Sequence, residues 1–345
     1  MSVATELRAD LKAAVVASTD VMLPLPGRLR PRALIARTFG FALLVVGIFT
    51  MPSLLSRAGP TYALAVGVIV AMAVLSVSVL GWIGEISMAT LAQMGMGVVI
   101  LNYLQRHGVA FAAIVPIAVL ASIPVSLVLG VFALRLRGVY FAIATLAFAT
   151  LAQKSFFSSY LGTEGGFEKP LVRPSYLASD KHVYYLEVGT LAVVAVICYL
   201  ILRSPIGTRL TALRDSEMAF AVLGHSPARY KLFTVCLSGA IATLAGTYYG
   251  ILQQVVPSNY FAPGLAIAYF AYGVVGGLGS VGGAIAAGLV FGSTPRYLET
   301  LSHGKLVGYD LFFAAAVALI IILWVPGGIA ALGRRIWRRI EGVPR

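Results

Sequence analysis

Leu232-Phe-Thr-Val-Cys-Leu-Ser-Gly-Ala-Ile-Ala-Thr-Leu-Ala-Gly-Thr-Tyr-Tyr-Gly-Ile-Leu252 decides the fold. It holds no charged residue, and none follows until Arg296. About 20 helical residues, rising about 1.5 Å each, cross a hydrocarbon core of about 30 Å. This run is long enough. Lipid offers no water to an open strand edge, so the run reads as a membrane helix.

Outward from it the pattern recurs. Toward the N-terminus lie Leu34–Leu55, Tyr62–Leu80, Ser87–Leu104, Val109–Leu134, Val139–Phe157 and Tyr184–Leu202. Toward the C-terminus lie Pro263–Val275, Val281–Leu298 and Leu306–Val325. The expected fold class is therefore all-α, a polytopic membrane helical bundle of about ten segments. Pro263–Val275 is too short to span comfortably and reads as re-entrant or broken. Between Leu232 and Pro295 only Pro, Gly and length mark the boundaries. The expected organisation is a tail over 1–33, a membrane domain over 34–327 with a long connection at 203–231, and a basic tail over 328–345.

Composition agrees. Of 345 residues, 59% are hydrophobic and 11% charged, against about 25% charged in a soluble domain. Such a chain cannot cover a water-facing surface. The net charge of +13 sits in loops and tails, where basic residues accumulate on the cytoplasmic side. Nucleic acid is not an expected partner; membrane lipid is. Cys198 and Cys236 lie inside apolar runs without metal-ligand spacing, and read as small buried hydrophobes. Residues 1–33 mix Glu6, Arg8, Asp10, Lys12 and Asp20, unlike a cleavable signal.

With ten crossings and a cytoplasmic N-terminus, 18 of the 26 Lys and Arg residues fall inside and 8 outside. Both termini and the Arg203–Lys231 connection are then cytoplasmic, and Ser158–His182 lies outside.

Glycines pair at helix-packing spacing: Gly246 with Gly250, Gly273 with Gly277, Gly288 with Gly292. They read as close backbone crossings in lipid, in an ordinary bundle or around a solute path. Gly277-Leu-Gly279-Ser-Val-Gly282 matches G-x-G-x-x-G, but a dinucleotide site needs a preceding strand and a later acid. It reads as a tight turn between two membrane segments. The chain has no G-x-x-x-x-G-K-[ST], so a P-loop engine would belong to another polypeptide. Tyr309-Asp310 lacks the G-x-G-D partner of an intramembrane aspartyl protease, and there is no H-E-x-x-H. His107, His182, His225 and His303 sit near segment ends or in loops. No catalytic residue, metal ligand or cofactor site is expected.

Charge near membrane depth is expensive and marks function. Glu85, in Gly81-Trp-Ile-Gly84-Glu85-Ile-Ser87, is the candidate here. It reads either as a path or gate group or as a turn residue. Ser87, Gly277 and Gly279 complete that candidate set. An ion-coupled carrier usually gathers several such groups, and an intramembrane enzyme would need them too; these remain the rival classes.

Ser204 to Gly224 carries a second candidate. Gly207 and Thr208 can open a helix, and Gly224 suits its end. Met218, Ala221 and Val222 recur at helical spacing, beside Arg209, Arg214, Asp215 and Glu217. One amphipathic helix is expected, either docking a partner or lying on the membrane surface.

At these residues the chain resembles the M-type permease subunit of ATP-binding-cassette importers for branched-chain amino acids. The resemblance runs from about Val66 to Val325. It rests on Gly81-Trp-Ile-Gly-Glu-Ile-Ser87, Ala133-Leu-Arg-Leu-Arg-Gly-Val-Tyr-Phe-Ala-Ile-Ala-Thr-Leu-Ala147 and Gly162-Thr-Glu-Gly-Gly166. Ser204-Pro-Ile-Gly through Arg214-Asp-Ser-Glu217 to Gly224, and Gly276-Gly-Leu-Gly-Ser280, follow in order. The resemblance implies a bacterial inner-membrane subunit without catalysis. Its implied partners are a homologous second permease, two cytoplasmic ATPase subunits and a periplasmic solute-binding protein. It also implies that the 204–224 helix couples to an ATPase through Arg214, Asp215, Glu217, Ala219 and Gly224. Two stretches depart from the family. The usual Gly-Gln-Ile-Ser-Leu-Gly-His is Gly84-Glu85-Ile-Ser87-Met-Ala-Thr90, and the outer Thr-Gly-Gly is Thr163-Glu-Gly-Gly. Related permeases are associated with urea and short amides as well as Leu, Ile and Val.

Overall fold

The computed structural model describes residues 58–161, 171–256 and 258–301. The expected spans Leu34–Leu55 and Leu306–Val325 lie outside them, as do Gly162–Gly166, His303, Asp310 and both tails. The other eight expected spans are all helical.

The helices are α1 (Ala58–Leu80), α2 (Thr90–Arg106), α3 (Phe111–Arg135), α4 (Val139–Leu151) and α5 (Asp180–Arg203). Then come α6 (Pro205–Asp215), α7 (Glu217–Val222), α8 (Pro227–Gln253), α9 (Pro263–Gly276) and α10 (Val281–Leu301). There is no strand among the described residues. Among the described residues, five stretches are long and apolar enough to cross a membrane: Thr61–Ile83, Phe111–Arg135, Val139–Phe157, Asp180–Arg203 and Pro227–Gln253. The protein is a polytopic helical membrane bundle.

Burial sorts these helices. The Thr61–Ile83 stretch is apolar all round and almost wholly buried, so α1 is the central post. Most of the Val139–Phe157 stretch is exposed or half-buried, so that helix lies at the edge of the bundle. α1 packs most extensively on α10, and also on α8, α5 and α9. Small residues let it do so: a Cβ on Gly288 would strike the backbone of Ala71, and one on Gly292 would lie 2.6 Å from Cβ of Val70. The expected Gly288/Gly292 crossing is thus a close helix contact. Gly246 likewise brings α8 against the Met94 backbone of α2.

Hydroxyls and amides tie the post to its neighbours. Ser238 Oγ donates to the carbonyl of Ser76 at 2.9 Å, joining α8 to α1. Thr243 Oγ1 donates to Gln93 O, and Gln93 Nε2 to Ser126 Oγ, joining α8, α2 and α3. Such pairs add about 0.6 kcal/mol each in lipid. The expected span at Ser87 starts later, because Gly84 turns left-handed at φ 74° and the chain runs non-helically to Ala89 before α2 begins. α4 widens into a π-helical turn over Ala152–Phe157.

At the end of the bundle away from α6 and α7, Arg173 caps α8. Its guanidinium donates to the carbonyls of Ile251 and Leu252 and pairs with Asp180 at 2.6 Å. A cation at a helix C-terminus meets both its unsatisfied carbonyls and its dipole.

Candidate functional site

The expected single helix over Gly207–Leu223 is two helices. Ser204 Oγ accepts from Ile206 N and Pro205 occupies the first turn, so α6 opens before Gly207. The chain breaks at Ser216, which is extended (φ −157°, ψ 110°), and its Oγ accepts from Ala219 N to cap α7. Two Ser caps outweigh the continuous apolar spacing. The 203–231 connection is therefore mostly helical. Gly224 ends the unit with φ 81°, as its place after the last helical residue implied.

α7 has two faces. Phe220 is 2% exposed and packs edge-on against Tyr230 at the start of α8, with ring centroids 5.3 Å apart. Met218, Val222 and Leu223 stand at 80%, 87% and 73% exposed. Glu217 is half-buried at the base of the helix. It pairs with Arg137 at 2.8 Å and with Lys231 at 3.0 Å.

Lys231 joins the two candidate sets. Its Nζ also lies 3.2 Å from Glu85 Oε1, and it donates to the carbonyl of Ala133 at 3.4 Å. The other Glu85 oxygen accepts from Gly138 N at 3.1 Å, just before α4. Lys231 and Glu85 are both buried. A lysine near the first turn of α8 opposes the helix dipole, and two carboxylates offset it. Glu85 is thus one partner of a buried ion pair with Lys231.

Arg214 makes the second junction. A Cβ on Gly84 would lie 3.1 Å from Arg214 Cγ, and one on Gly279 3.9 Å from its Nη1. The side chain therefore lies across the turn after α1 and the glycine turn between α9 and α10. That second turn is tight, as its spacing implied, with Gly277 at φ 93° and Gly279 at φ 87°. Ser78 Oγ accepts from Gly279 N at 3.0 Å.

Three expected residues stand apart. Ser87 is buried, and its Oγ accepts from Ala89 N. Asp215 and Ala219 are exposed at the α6–α7 break.

Sequence reasoning passed over Lys231 and Arg137, which appeared only as basic loop residues. The legible signal for Lys231 was a lone cation at the head of the charge-free Leu232–Leu252 run. It also passed over Glu187, a lone acid inside the apolar span Tyr184–Leu202. Glu187 is 0% exposed, and neither carboxyl oxygen has a hydrogen-bond partner among the described residues. No three-residue group of metal-ligating side chains occurs among the described residues.

A bundle of long apolar helices, with the short helix α7 ion-paired to one end, is a polytopic helical membrane protein. Residues 59–325 match the family described as the branched-chain amino acid transport system / permease component, and the chain belongs to that family. It is similar to the high-affinity branched-chain amino acid transport system permease protein LivM of Escherichia coli (strain K12). The two are 27% identical over 256 residues, covering 66% of this chain and 59% of the relative. The LivM protein of Salmonella typhimurium matches with the same figures. The probable branched-chain amino acid transport permease protein LivH of Methanocaldococcus jannaschii is 26% identical over 163 residues, covering 45% of this chain and 50% of the relative. The chain thus spans about three-fifths of the LivM relatives' length. No solved structure matches it.

Proposed function

We propose that this chain is the transmembrane permease subunit of an ATP-binding-cassette importer. It moves branched-chain amino acids, or a related small polar solute such as urea or a short amide, inward across a bacterial plasma membrane by alternating access. A homologous second permease completes the pore. Two ATPase subunits hydrolyse the ATP, and a solute-binding protein delivers the cargo outside. Membership of the permease family and five apolar spans support the transport role.

The exposed face of α7 carries the coupling part of the reading. Six residues do not hold a helix in water. This one is held at its back by Phe220 and Glu217, and it presents Met218, Val222 and Leu223 outward. Large apolar side chains gathered on a rigid exposed element suit a partner surface. In this reading α6 and α7 face the cytoplasm, both termini lie on that side, and the ATPase receives α7. Arg214, Asp215, Glu217, Ala219 and Gly224 shape the coupling element. Glu85, Ser87, Gly277 and Gly279 form the gate side of the same end.

The test is reconstitution in vesicles with the second permease, both ATPases and the binding protein. ATP-dependent uptake of labelled Leu, Ile, Val or urea is expected. The full assembly moving none of these solutes, with active ATPases bound, would overturn the reading.

A further inference from the structure

We infer that Lys231 is the positioning residue through which displacement of α7 reaches the membrane helices; this rests on the coupling role proposed above. An ammonium has three donors. Those of Lys231 face three acceptors on three elements: Glu217 on α7, Glu85 after α1, and the Ala133 carbonyl in the last turns of α3. Glu85 passes the connection to Gly138 at the head of α4. Two buried side chains thus join α7 to α1, α3, α4 and α8.

Burial makes the junction stiff. Lys231 is 2% exposed and Glu85 6%, so water cannot replace a lost partner. Lifting α7 away would leave the buried ammonium with Glu85 as its one remaining carboxylate and cost it a charge-assisted hydrogen bond. α7 therefore moves together with the ends of α1, α3 and α8, not independently of them. Arg137 stabilises Glu217 from an exposed position and can follow it. Stability alone does not call for this arrangement, because an apolar group of similar volume usually replaces a buried ion pair without loss. A neutral, well-packed replacement therefore separates the structural role from the coupling role.

The experiment uses the assembled importer in vesicles and reads solute moved per ATP hydrolysed. Lys231→Met should lower that ratio by about tenfold, while the ATPases still co-purify through the untouched Met218, Val222 and Leu223 face. Lys231→Arg keeps a charged donor and should recover most of the ratio. Lys231→Met alone strands two carboxylates, so the neutral variant Glu85→Gln, Lys231→Met, Glu217→Gln is measured beside it. That variant should insert normally and show the same low ratio. A wild-type ratio in the neutral variant overturns the inference, even where the ATPases stay bound. ATPases that fail to co-purify with the unmutated chain overturn the coupling reading itself, and this inference with it.

Discussion

Trp82 donates its indole N–H to the carbonyl of Gly279 at 3.1 Å, across 197 positions of sequence. The bond pins the turn between α9 and α10 to the turn that ends α1. Gly81 allows the contact, since a Cβ there would lie 2.8 Å from Gly279 N. Arg214 of α6 lies over the same spot. The central post, the glycine turn and the helical hairpin therefore share one joint.

Two substitutions test that joint. Trp82→Phe keeps a ring but removes the donor, at a cost of about 1 kcal/mol. Gly279→Val places a β-branched residue at φ 87°, which costs about 1–2 kcal/mol of strain. Both should lower the thermal midpoint of the detergent-solubilised protein. The double variant should lose less than the two single losses combined, because both act on one contact. Full additivity would show that the contact does not act as one unit.

Much of this was legible from charge and apolar length. Leu232–Leu252 announced a span by having no charge, and α8 contains it whole. Gly224 announced a helix end, and it sits at φ 81°. The break at Ser216 was hidden, because serine reads equally as a helix surface residue or a cap until its Oγ finds Ala219 N. Glu85 was visible as a charge near membrane depth, but its partner was not. Lys231 lies 146 positions away, and no local pattern encodes a pairing made by packing α8 beside α1. Glu187 was legible as a lone acid inside the apolar run Tyr184–Leu202, and was passed over.

The proposed coupling role of α7 makes a sharper prediction. Nothing stands within 4 Å of a Cβ on Gly224, so a substitution there meets strain and no clash. Gly224→Val should loosen the end of α7 by about 1–2 kcal/mol, whereas Gly224→Asn, which tolerates the left-handed region, should be nearly silent. Met218→Asp places charge on the exposed face. Gly224→Val and Met218→Asp should keep membrane abundance and reduce ATPase co-purification, with Met218→Asp the stronger. Unchanged co-purification for Met218→Asp would remove α7 from the interface.

Orientation is tested separately. A reporter active only outside the cytoplasm, fused after Arg345, should stay silent in cells. The same reporter placed between Ser175 and Ser179 should be active. A bright C-terminal fusion would invert the proposed topology and set α7 on the wrong side for an ATPase.

Glu187 gives the last prediction. It sits within α5 among the buried residues Val183, Tyr184, Val188 and Leu191. Arg173 is already committed to Asp180 and to the carbonyls of Ile251 and Leu252. Both carboxyl oxygens are left without a hydrogen bond among the described residues. A buried polar group without a partner costs about 1–3 kcal/mol. Leu is close to Glu in reach and asks for no partner. Glu187→Leu should therefore raise the thermal midpoint of the solubilised protein by a few degrees, while Glu187→Gln, which still buries an amide, should raise it little. Calorimetry or a thiol-independent unfolding dye reads the difference. A fall in the midpoint for Glu187→Leu would mean that the carboxyl is held by a favourable contact in the folded membrane protein, and the cost assigned to it here would be wrong.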